Sequence, residues 1–120
     1  MSWISYLQYN INCDMRAALS KIRLSSHTFM VERGRWSKPK IEYIDRKCIL
    51  CIKNDIQDEY HILMICPYFK ELRHKYINKH YYIRPSMFKF QELLNTVNKQ
   101  ERFKLMLFTK FILKQYDSTI

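Results

Sequence analysis

Three thiols and one imidazole crowd residues 48–66 in the pattern Cys48-x2-Cys51-x9-His61-x4-Cys66. Soft thiolates and an imidazole in a set of four are the donors of a closed tetrahedral zinc site. Two residues between the first pair make a turn tight enough to aim both sulfurs inward. The second pair carries its own geometric demand. Five helical steps of about 100° turn Cys66 about 140° away from His61, so a helix that carries His61 must end or distort before Cys66. Pro67 meets that demand, because it disfavours helical geometry at Cys66 and permits a new helix directly after it. With all four positions held by protein, the expected ion is one structural Zn2+. A thioredoxin-like redox pair would need a strand–helix–strand context that these cysteines lack.

The remaining reactive side chains read as structural. His74 and His80 fall on the helix after Pro67 and are expected at its surface, His27 beside Ser25 and Ser26 reads as a hydrogen-bonded histidine at a helix break, and Cys13 reads as a buried free thiol. No acid–base pair or nucleophile constellation stands out, so no catalytic residue is assigned and the chain is not expected to be an enzyme. The stretch Arg33, Arg35, Trp36, Lys38, Lys40, Tyr43, Arg46 and Lys47 interleaves cations with aromatics. Such a stretch can hold phosphates while a ring stacks on an unpaired base. Equally, Trp36 and Tyr43 can pack beneath the knuckle, which is the commoner fate of a tryptophan.

The elements that must position these groups are mostly helical. With 120 residues, 48% of them hydrophobic, the chain can bury one core, and residues 1–120 are expected to form a single domain. One glycine and three prolines exclude glycine-rich phosphate loops, dinucleotide fingerprints and most tight-hairpin β folds. The expected fold is a mainly α, small helical domain around a zinc knuckle, with a C-terminal helical hairpin. Asn12 can cap a helix carrying Met15, Ala18, Leu19 and Ile22 on one face, Phe29 to Arg33 continue a helical pattern, and Gly34 offers a stop. Residues 35–45 read as extended, 56–65 as a short helix, and 46–80 as the knuckle with its following helix, whose stripe is Tyr68, Phe69, Leu72, Tyr76 and Ile77. Residues 86–116 form the hairpin, with Phe88, Leu93 and Leu94 inward on its first arm and Phe103, Leu107, Phe111 and Ile112 inward on its second.

The net charge of +10 is unevenly spread: residues 21–47 sum to +5, 48–66 to −2 and 67–84 to +4. Two basic blocks around an acidic knuckle suit a polyanion partner. No signal peptide or stretch of about 20 apolar residues is present, so no membrane partner and an intracellular location, nuclear or cytoplasmic, are expected. There the cysteines would stay reduced.

Arg23–Trp36 (RLSSHTFMVERGRW), Lys47–Cys51 (KCILC) and Asp58–Arg73 (DEYHILMICPYFKELR) together resemble the C-terminal zinc-binding region of non-LTR retrotransposon reverse transcriptases. In that family a basic Arg-[ST]-x-His segment precedes Cys-x2-Cys…Glu-x-x-His-x4-Cys-Pro and a helix ending near an arginine. The matching positions are Arg23, Ser26, His27, Cys48, Cys51, His61, Cys66, Pro67 and Arg73. Leu24 and a double serine stand where threonine-glycine is more usual, and Glu59 lies two residues before His61, with Asp58 at the third. The resemblance spans about residues 25–115 and implies a zinc region that grips RNA or DNA with little sequence specificity. It adds Arg23 to the candidate nucleic-acid contacts. Tyr43-Ile44-Asp45-Arg46 supplies one acid where a polymerase needs a pair, so the resemblance is to the accessory region alone. A zinc-stabilised protein-interaction module and a non-functional retroelement remnant are the alternatives.

Overall fold

The computed structural model describes residues 16–25, 27 and 29–119, so the sequence expectations for Asn12, Cys13, Met15 and Ser26 lie outside it. Helix α1 covers 16–23 and buries Ala18, Leu19 and Ile22, the face its spacing indicates. It ends at Ser25, whose φ of 53° is left-handed and therefore strained for a residue with a Cβ. The Ser25 hydroxyl offsets part of that strain by donating to Glu59 Oε1 at 2.7 Å.

Helix α2 spans Met30–Trp36 and contains Gly34 rather than stopping at it. The glycine is needed for a close approach: a Cβ there would lie 2.7 Å from Cγ of Arg46. That arginine is buried, and its head group donates to the carbonyls of Ile41 and Val31, each at 2.9 Å. It braces the loop that follows α2, and the phosphate contact expected of it is corrected to this internal role. Gly34→Ala must push the side chain off both carbonyls. The expected cost is about 1–3 kcal/mol, visible as a lower urea midpoint at unchanged m-value.

Residues expected to be extended include a short 3-10 turn, Tyr43–Asp45. The chain then makes an antiparallel bridge between Lys47 and Ile56, closed by Cys48 N–H to Asp55 O at 2.8 Å and Gln57 N–H to Arg46 O at 2.9 Å. Ile56 thus belongs to the knuckle, and the following helix begins only at residue 59. Asp58 caps it, accepting from His61 N–H at 2.8 Å. After Cys66, Pro67–Phe69 form a 3-10 turn and α3 runs Lys70–Tyr76, so the expected single helix is split. A break at Ile77 separates α3 from α4, Lys79–Tyr82, which Asn78 caps.

The C-terminal helices are α5, Met87–Leu94, capped by Ser86, and α6, Lys99–Thr119. Their inward faces differ from those expected. In α5 Phe90, Leu93 and Leu94 are buried while Phe88 is 78% exposed. In α6 Leu105, Phe108, Thr109, Ile112 and Tyr116 are buried and Phe103 is exposed. Apolar residues occur on every side of α6, so periodicity alone does not select its buried face. The main helical neighbour of α6 is α3, where Tyr76 stacks on Phe111 at 5.8 Å. One core runs from Leu19 and Phe29 through Ile62, Leu63 and Phe69 to Tyr116. Among the described residues, no helix is long and apolar enough to cross a membrane.

Candidate metal centre

The ligand atoms of Cys48, Cys51, His61 and Cys66 all lie within 4.8 Å of one another, so the four residues could hold one metal ion. Cys48 Sγ is 3.8 Å from Cys66 Sγ, and Cys51 Sγ is 3.3 Å from His61 Nε2. A distorted helical turn brings the last two ligands together. His61–Ile65 is a π turn in which Cys66 N–H reaches back five residues to His61 O at 2.7 Å. Cys66 then leaves the helix at ψ 119°, directly before Pro67. This is the distortion that the five-residue spacing demands.

Backbone amides face each of the three clustered thiols: Leu50 toward Cys48, Lys53 toward Cys51 and Tyr68 toward Cys66. The Cys48 thiol is pushed down to about 3, chiefly by the hydrogen bond from Cys66, with His61, Gln57 and the Leu50 amide adding to it against burial. As the donor in that bond, Cys66 is pushed up, and burial works in the same direction. A low-lying thiolate flanked by donors is primed to ligate.

His61 is almost wholly buried. Its Nε2 faces the sulfurs, and its Nδ1 has no hydrogen-bond partner among the described residues but lies 3.7 Å from Asp55 Oδ2. That arrangement selects Nε2 as the nitrogen that could ligate and leaves Nδ1 on the side of the Asp55 carboxylate, beyond hydrogen-bond length.

Gln57 ties the centre to both ends of the fold. It is fully buried, gives an N–H to Cys48 Sγ at 3.3 Å, and accepts from Met30 N–H and from Tyr116 O–H, each at 2.7 Å. Sequence reasoning missed it and Asp55, because neither lies at a ligand spacing. Gln57→Leu orphans the buried Tyr116 hydroxyl and the part-buried Met30 N–H and removes one donor to the Cys48 sulfur. A 10–100-fold loss of metal affinity, roughly, is expected from chelator competition.

Two motif residues outside the quartet brace it. Glu59 accepts from Ser25 Oγ and pairs with His27 Nε2, both at 2.7 Å, while His27 Nδ1 accepts Phe29 N–H. Burial works against the Glu59 carboxylate, but the bonds from His27 and Ser25 outweigh it and hold the group below its ordinary value of 4.5. A depressed carboxyl stabilises the fold above its unfolded value, and the gain is lost as pH falls through the folded one. Glu59→Gln should therefore cost about 1–2 kcal/mol at neutral pH, with the difference from wild type shrinking in thermal melts below pH 4.5.

The cationic stretch divides. Arg33, Arg35, Lys38 and Lys40 are exposed, Trp36 is 74% and Tyr43 51% exposed, and Lys47 is half-buried. The packing of Trp36 and Tyr43 beneath the knuckle is thus corrected: both rings face solvent. Arg35 lies 5.5 Å from the centre of the Trp36 ring. Arg23 is exposed along its stem, but its head group donates to Leu94 O. His74 and His80 lie at the surface, as expected. In comparisons with protein-family models, curated proteins and solved structures, nothing matches this chain.

Proposed function

We propose that the chain is a zinc-stabilised, non-catalytic module that grips RNA or DNA through a basic surface, and that it derives from a retrotransposon reverse transcriptase. Zinc is favoured by ligand chemistry and size. A regular tetrahedron with Zn–S bonds of about 2.3 Å and Zn–N of about 2.0 Å has edges of about 3.8 Å between sulfurs and about 3.5 Å from sulfur to nitrogen. Two of the quartet's six edges, 3.8 Å and 3.3 Å, lie close to those lengths, and all six fall within 4.8 Å. Four protein ligands leave no position for a reacting water, so the ion's part is to hold the knuckle.

The observation that carries the nucleic-acid reading is the exposed Trp36 among Arg33, Arg35, Lys38 and Lys40. A ring that faces water amid ammonium and guanidinium groups can stack on a base whose phosphates those groups hold. Binding of this kind is weakly sequence-specific and depends on salt. For about 4–6 phosphate contacts the log–log slope should be about −3 to −5.

Native mass spectrometry with and without chelator tests the metal, and salt-dependent titration against single-stranded RNA and duplex DNA tests the partner. One zinc per chain and a steep slope are expected; a metal-free folded chain or a flat salt response overturns the respective half. Exposed Ile83, Met87, Phe88 and Val97 favour a second reading, a protein-interaction module. In that case, charge reversal at Arg35 and Lys38 leaves partner binding intact.

A further inference from the structure

A cleft of about 390 Å3 opens between α3, α4 and α6, away from the metal ligands, with His74, Lys75, Lys79, Tyr82, Glu101 and Lys104 in its lining. Its three lysines come from three different helices and line one hollow, with the Lys75 ammonium over the Tyr76 ring at 5.4 Å, whereas a solvated charge run lies along a single helix. The one carboxylate in the lining, Glu101, accepts from Thr96 Oγ1 at 3.0 Å and from Tyr81 O–H at 3.4 Å, so its charge is directed into the wall. Beside the lysines, the His74 ring lies stacked on Tyr82, with centroids 4.8 Å apart and planes 13° from parallel. His74 is exposed and Tyr82 half-buried, so the pair presents an aromatic plane at the cleft.

We infer that this cleft is a second binding site, taking one nucleotide unit of a single-stranded nucleic acid. The phosphate lies on Lys75, Lys79 and Lys104, and the base lies against the His74–Tyr82 plane. The inference rests on the nucleic-acid reading above and names the form of ligand. The volume is at the lower end of the ~300–1,000 Å3 typical of small-molecule sites, a size for one nucleotide. A duplex keeps its bases stacked inside and cannot bring one to the ring. An acidic peptide would use the lysines and leave the aromatic plane idle. The helix that lines the cleft is also tied to the cysteine–histidine centre: Arg73, buried in α3 next to His74, donates to the carbonyls of Ile62, Leu63 and Cys66.

The test is fluorescence anisotropy with a labelled oligouridine and the metal-loaded full chain. Lys79→Glu with Lys104→Glu should weaken binding at least ~10-fold and make the salt slope shallower by about 0.7 for each phosphate no longer held. Tyr82→Ala should weaken it at least ~5-fold, while Tyr82→Phe, which keeps the stacking face, stays near wild type. In the wild-type chain, photo-crosslinks from a 4-thiouridine-substituted oligomer should map to His74 or Tyr82, a readout independent of any variant's folding. If the double lysine variant and the crosslinks spare the cleft while reversal of Arg35, Lys38 and Lys40 abolishes binding, the cleft is wrong and the module's function stands. Absence of any oligonucleotide binding by wild type overturns both. Competition by polyglutamate as strong as by the oligonucleotide also overturns the cleft, marking it as a site for acidic peptide.

Discussion

Cys66→Ser, on the proposed zinc reading, is expected to yield a chain that retains no zinc on desalting and loses most of its helical circular dichroism with it. Structural zinc contributes about 10–16 kcal/mol in small modules, against a net stability of about 5–15 kcal/mol for a whole domain. Losing a ligand therefore exceeds what the remaining core can absorb. The serine hydroxyl is a poor substitute for a fully buried sulfur that also accepts the Tyr68 amide. Unfolding should reach at least residues 46–80, since the bridge at Lys47 and Ile56, the π turn and α3 all meet at the centre. One equivalent of bound metal together with a native spectrum would falsify the ligand assignment.

Arg73→Ala should have the second largest effect, about 3–5 kcal/mol. The π turn ends at Ile65, and Pro67 has no N–H, so the carbonyls of Ile62 and Leu63 lack the backbone partners a continuing helix would supply, while Cys66 O receives only a long bond from Phe69 N–H at 3.3 Å. The Arg73 guanidinium takes all three: Nε to Leu63 O at 2.7 Å, and Nη2 to Ile62 O at 3.0 Å and Cys66 O at 2.9 Å. Burial pushes its pKa down to about 10, which leaves it charged at neutral pH. Alanine would strand the carbonyls of Ile62 and Leu63 and leave Cys66 O with the Phe69 N–H alone, beside two members of the quartet. Urea denaturation reads the stability loss, and chelator competition reads the accompanying fall in metal affinity. Arg73→Lys should recover only part of either, because one ammonium cannot reproduce the planar fork. A wild-type midpoint for Arg73→Ala would remove the capping role.

Some residues announce their roles by spacing and others cannot. The quartet is legible because its ligands sit close in the chain, and the rotation between His61 and Cys66 already requires a broken helix. Arg46 and Arg35 are indistinguishable as letters in a basic run, yet one is buried over Gly34 and the other is exposed. Trp36 is illegible for a related reason: burial of a large ring depends on which elements come to cover it, and among the described residues none covers this one. The inward face of α6 is hidden from sequence reading because its apolar residues surround the helix.

Alone, the sequence determined which three thiols and one imidazole cluster, the place where the helix must distort and the mainly helical class, since each depends on residues a few steps apart. Tertiary structure decided what long-range packing controls. It chose the face of α6 that meets α3, brought Tyr116 across 59 positions to Gln57 beside the Cys48 sulfur, and sorted the cations into internal braces and exposed charges. Those outcomes depend on which surfaces exclude water together, and no local pattern encodes that.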